Sequence, residues 1–186
     1  MKRVGLPLVC AALIVAACAP TSENCARLSG NGRYCLLAGP WPEFAAEQAS
    51  VVTFKGKTLR MIARVAASPG GLRFAMPTLL GRTRIKGTWD ISKLHPALPP
   101  ALDDRLDPAL FPALLQIATW PTERIREGLS EGLELLDAPG RRVIRNSGED
   151  ILIVSWEGNH LPYARLRFEV PAAGLVIDSR TLEASR

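Results

Sequence analysis

Two stretches of strict two-residue alternation, separated by a proline-rich helical middle, constrain this chain more than any other feature. From Thr58 to Val65, Leu59, Met61, Ala63 and Val65 fall on one side and Arg60 and Arg64 on the other, with Ile62 as an exception. From Ala164 to Val170, Leu166, Phe168 and Val170 alternate with Arg165, Arg167 and Glu169. Successive side chains of a strand point to opposite faces, so period two with one charged side reads as a half-buried strand. Ala49 to Lys55, Leu72 to Met76, Arg82 to Trp89, Arg141 to Arg145, Asp150 to Trp156 and Gly174 to Asp178 read as further strands. Turns rich in glycine and proline, such as Ser68-Pro69-Gly70-Gly71, separate them. In Arg82 to Trp89, Arg82, Arg84 and Lys86 point one way and Ile85 and Trp89 the other.

The middle follows different rules. Pro96, Pro99, Pro100 and Pro108 make a stiff, irregular linker. Asp107-Pro108 predicts an N-cap and first helical position, with a helix through Gln116 or Ala118 that buries Leu110, Leu114 and Ile117. Pro121 stops or kinks it, and Thr122 caps a second helix, Glu123 to Leu129, which Gly132 ends. Strands, then helices, then strands predict an α+β fold with eight or nine strands in one antiparallel sheet, its apolar face covered by the helices.

The N-terminus predicts export. Met1-Lys2-Arg3 is a basic head, and Val4 to Ala17 is an apolar run of about 14 residues, shorter than the roughly 20 that span a bilayer. Val15-Ala16-Ala17-Cys18 resembles the lipobox of bacterial lipoproteins. That resemblance implies cleavage before Cys18 and lipid on its thiol; the alternative is a plain secretion signal with a stray cysteine. Burial of acyl chains contributes about 0.8 kcal/mol per methylene, so two or three chains anchor firmly. Ala19 stands where an aspartate often marks inner-membrane retention in such lipoproteins, which favours the outer membrane, periplasmic face. The expected organisation is a signal peptide at 1–17, a lipidated N-terminus and tether at 18–38, and one domain at 39–186.

Charge and cysteines narrow the classes. The net charge is +5, and loss of Lys2 and Arg3 leaves +3. Such a dispersed excess suits an anionic membrane surface or an acidic ligand and is too weak to argue for nucleic acid. Cys25 and Cys35 are the pair outside the signal region. In an exported chain they read as a disulfide across the turn Ser29-Gly30-Asn31-Gly32, with a metal or redox site as the alternative. No catalytic residue, cofactor or metal is expected. His95 and His160 lack ligating neighbours in sequence, Asp103-Asp104 reads as a loop pair, and Ser155 lacks a nucleophile elbow.

The alternating "TLRMIARVAASPGGLRFAMPTLLGRTRI", the mid-chain "LLQIATWPTERIREGL" and the closing "RRVIRNSGEDILIVSW" with "ARLRFEV" together resemble the LolA/LolB fold. There, a curved antiparallel sheet forms an incomplete β-barrel covered by two or three short helices. The pattern is more similar still to small proteobacterial lipoproteins of uncharacterised function assigned near that fold. The resemblance implies handling of an acylated or lipid-like cargo. It places Leu79 and Leu80, just before Gly81, in a membrane-contact loop; their other reading is a buried turn. Leu59, Met61, Phe74, Met76, Ile85, Trp89, Leu166 and Phe168 are then candidates to line an apolar cavity; their other reading is plain core. Two functions follow: a carrier of acylated cargo, or a structural lipoprotein that binds an envelope protein partner.

Overall fold

A computed structural model describes residues 24–77, 83–90, 107 and 109–185, except for the side chains of 77 and 83–90. A hairpin of β1 (Cys25–Ser29) and β2 (Gly32–Cys35) comes first. Next come β3 (Phe44–Phe54), β4 (Lys57–Ser68), β5 (Gly71–Pro77) and β6 (Thr83–Asp90). Helices α1 (Leu110–Thr119) and α2 (Thr122–Gly128) follow. The chain closes with β7 (Leu133–Ala138), β8 (Arg141–Asn146), β9 (Glu149–Glu157), β10 (Arg165–Val170) and β11 (Leu175–Ser185), with a 3₁₀ turn at Pro171–Ala173 before β11.

β3 to β11 form one antiparallel sheet of nine strands in the order β6-β5-β4-β3-β11-β10-β9-β8-β7. Two meanders are thus joined by the pairing of β3 with β11, Val52 opposite Ile177 and Ser50 opposite Ser179. Among the described residues the outermost strands, β6 and β7, are consecutive, and both helices lie between them in the chain. α1 shares one core with the buried residues of the sheet, which places it on the inner face.

Alternation sets that face. Phe44, Ala46, Gln48, Ser50 and Val52 of β3 are buried, as are Met61, Ala63, Val65 and Ala67 of β4. Leu72, Phe74 and Met76 of β5 and Leu166, Phe168 and Val170 of β10 continue the apolar surface. Eight of the ten residues of α1 are buried. A helix that is apolar all round needs cover on every side, so sheet and hairpin surround it together.

Several expectations change in detail. The tether assigned to 18–38 contains the β1–β2 hairpin, whose Ala26, Leu28 and Tyr34 are fully buried in the common core. The folded unit therefore takes in residues before 39; alternation only four or five residues long gave too little signal to read. β3 starts at Phe44 and not Ala49, because the alanines at 45, 46 and 49 have little β-propensity of their own. β7 was not expected, and β11 runs on to Ser185 rather than ending at Asp178. The described residues form eleven strands, more than the eight or nine expected. Ile62 sits outward with Arg60 and Arg64, so the apparent exception obeys the period. The helices arrive as expected, one residue or two displaced.

Candidate functional site

α1 starts from Asp107, whose carboxylate accepts from the Ala109 N–H (2.9 Å) and, through its other oxygen, from the Arg27 N–H (3.1 Å). One side chain thus begins the helix and fastens it to the hairpin. Helical geometry itself begins at Leu110, past Pro108. At the far end Trp120 is extended and Pro121 turns the chain into α2. Thr122 does not cap α2: its hydroxyl donates to Asp137 of β7.

Along its length α1 is held by polar contacts on one side. Gln116 is fully buried in the middle of an apolar helix. Its Oε1 accepts from the Tyr34 hydroxyl (3.2 Å) and the Leu37 N–H (3.1 Å), and its Nε2 donates to the Leu37 carbonyl (2.8 Å). Burial pushes the Tyr34 phenol well above its ordinary pKa, so it stays a donor. Arg142 of β8 donates to the Ile117 and Trp120 carbonyls at 2.7 and 2.8 Å, the groups a helix C-terminus leaves unpaired. The same guanidinium pairs with Asp137 (3.2 Å) and lies 5.4 Å from the centre of the Trp156 ring. Burial raises the Asp137 pKa, but the hydrogen bonds from Thr122 and Arg142 and the cationic charge outweigh it, and the net shift is downward. Tyr163, stacked on Trp156, donates to the Ala118 carbonyl (3.3 Å).

Toward β3–β5 the character changes. Among the described residues, no hydrogen bond joins α1 to these strands. The Phe111 ring lies 4.6 Å from that of Phe74. Behind it the wall is Met61, Val65 and Met76, with small residues at Ala46, Ala63 and Ala67. A short polar strip crosses the centre of the same face: Ser50 and Ser179 share a 2.8 Å hydrogen bond, and Gln48 donates to Thr181 (3.3 Å). The Trp41 and Trp120 rings meet edge to face at 5.6 Å, and neither buried indole N–H finds an acceptor among the described residues.

The eight proposed lining residues divide accordingly. Met61, Phe74, Met76, Leu166 and Phe168 are buried in one continuous core, and Leu59 is partly buried against it. Ile85 and Trp89 lie opposite Met76 and Leu72 on β6, with their side chains outside the described residues. Cys18, Leu79 and Leu80 also lie outside them. Cys25 and Cys35 are disulfide-bonded, S–S 2.05 Å. Among the described residues no cluster of His, Cys, Asp and Glu could hold a metal ion, and no helix is long and apolar enough to cross a membrane. A groove of about 440 Å³ lies where β11, β3, β4 and β5 run side by side, bordered by Glu47, Arg64, Arg73 and Glu183.

Sequence reasoning missed Gln116, Tyr34, Arg142 and Tyr163, the residues that hold α1. Gln116 had a signal, a lone amide inside "LFPALLQIAT", which has to find partners if it is buried. Arg142 gave none, since an arginine on a strand more often faces solvent. No curated protein matches the chain. The pattern of a family described as proteins of unknown function, DUF3261, matches residues 45–178. That span runs from β3 into β11 and takes in both helices together with the wall that α1 faces, so the chain belongs to the DUF3261 family.

Proposed function

We propose that this protein is an outer-membrane-anchored periplasmic lipoprotein, lipidated at Cys18, that holds or passes on an acylated cargo between α1 and the β3–β5 wall. In this reading the open sheet is an incomplete barrel of the LolA/LolB kind and α1 is its removable filling. One asymmetry carries the proposal: α1 is fastened by hydrogen bonds to the hairpin, β8 and Tyr163, and meets β5 through an aromatic contact. Apolar contacts can be exchanged for an acyl chain at little cost, because the guest buries the same surface. A buried hydrogen bond cannot be opened without leaving a group unsatisfied. The helix therefore separates from the sheet on the β5 side and stays fixed on the other. The alanines at 46, 63 and 67 leave the wall low. Leu79 and Leu80 serve as the membrane-contact loop. The protein is not an enzyme in this account.

Native mass spectrometry of the full chain purified from membranes tests it. The expected result is a non-covalent acyl species, one per chain, lost in Ala63→Trp; chains that carry only the covalent anchor would refute cargo binding. Leu80→Glu should slow delivery to vesicles and leave cargo in place.

The groove between β11 and β5 favours a second reading, a structural lipoprotein that binds an envelope protein on its outer face. A stable protein partner recovered from chains with no acyl guest would select it.

A further inference from the structure

We infer that the outer face of β3–β5 is a membrane-docking surface that lays the domain on anionic phospholipid. From Val51 to Trp89 there is no Asp or Glu, while eight Lys and Arg residues occur. Five of these have described side chains, and all five are exposed: Lys55 and Lys57 at the β3–β4 turn, Arg60 and Arg64 on β4, and Arg73 on β5. Strand register brings the arginines together on the outer side, Arg60 opposite Val51, Arg64 opposite Glu47 and Arg73 opposite Ala66.

Their counter-charges are few. Glu47 answers Arg64 at 2.7 Å, and Glu183 borders the same groove as Arg64 and Arg73 without pairing with either. Among the described residues, no carboxylate pairs with Lys55, Lys57, Arg60 or Arg73. The other half of the same sheet is balanced: Arg165 and Arg167 share Asp178, with Glu157 and Glu169 beside them, and Arg145 pairs with Asp150. Positive charge is thus segregated onto one meander. Val51 is 37% exposed among these cations, and Ile62 stands outward beside them. Cations with interspersed apolar side chains match the headgroup region of an anionic bilayer, where basic residues act within about 10 Å of the surface.

The length of the tether permits this placement. At about 3.5 Å per extended residue, the seven residues from Cys18 to Asn24 reach no further than roughly 25 Å. The Lys55 N–H donates to the Gly174 carbonyl (3.0 Å), and the adjoining turn at Pro171 and Ala172 borders Ser29 of the hairpin. The hairpin's turn at Ser29 therefore lies at the same end of the sheet as the lysine turn, one β1 length, about 13 Å, from Cys25, where the tether enters. This part of the argument rests on lipidation at Cys18.

The test uses the full chain mixed with vesicles of phosphatidylcholine alone or with 30% phosphatidylglycerol. Acetylation of Lys55 and Lys57 by an amine reagent is read by mass spectrometry. Protection of at least threefold in the phosphatidylglycerol vesicles, reversed by 1 M salt and lost in the Arg60→Gln/Arg73→Gln variant, is expected. Equal labelling in both vesicles overturns the inference and leaves the face to an acidic protein. Flotation on pure phosphatidylcholine separately reports the anchor. A chain that floats on anionic vesicles alone keeps the docking face and loses the lipid anchor.

Discussion

Arg142 joins more of this structure than any other described side chain. Its guanidinium closes the C-terminus of α1, pairs with Asp137 and lies over Trp156. A hydrogen bond to a charged group contributes about 1.5–3 kcal/mol, and truncation also strands two carbonyls and a carboxylate. Arg142→Met should therefore lower stability by about 3 kcal/mol in urea unfolding, with Arg142→Lys recovering part of it. The pairing also fixes a pH dependence. The Asp137 pKa is below its ordinary value in the folded chain, so its contribution is present at neutral pH and disappears as pH falls through that lowered pKa. Urea midpoints from pH 6 to pH 2 should fall more steeply for the native chain than for Asp137→Asn. Asp178, held down by hydrogen bonds from Arg165 and Arg167, supplies a parallel slope on the outer face.

At the scale of elements, the closest approach lies where α2 ends against the hairpin. A Cβ on Gly128 would stand 2.6 Å from the Tyr34 ring and 2.7 Å from the Cys35 carbonyl. Gly128→Ala must push the hairpin away from α2 and disturb the Tyr34–Gln116 bond. A loss of about 2 kcal/mol, typical of overpacking, is expected in thermal or urea unfolding. A change within a few tenths would mean that the hairpin yields freely. This contact also marks the limit of the sequence. β4 and β10 were legible because long alternation encodes both a strand and its buried face. α1 was legible because Pro121 and a run of apolar residues bound it. The hairpin was not, since its four- and five-residue strands become apolar-in only through the helix they cover. β7 was hidden by the same cause: its one buried residue is Leu135, and its partners come from β8 and α2. The residues that hold α1 are scattered over β2, α1, β8 and the loop before β10, a constellation that no local pattern records.

The described molecule is a nine-stranded open sheet whose inner face is covered by α1, with the β1–β2 hairpin packed against that helix. The fold confers two sides of unequal strength on α1, polar toward the hairpin and β8, greasy toward β5. The proposed function depends on that inequality. Locking the greasy side addresses it most directly. Phe74→Cys and Phe111→Cys place two thiols where two rings now meet, 4.6 Å between centroids, to be joined by a short bis-maleimide. The full chain, in envelope vesicles, is irradiated with a diazirine-bearing fatty acid, and the labelled peptides are identified by mass spectrometry. The account predicts label on the peptides of Met61, Phe74 and Phe111 in the native chain and in each single-cysteine variant, and its loss when the pair is cross-linked. Label that persists in the locked protein, or that never reaches these peptides, would contradict a cargo site between helix and sheet.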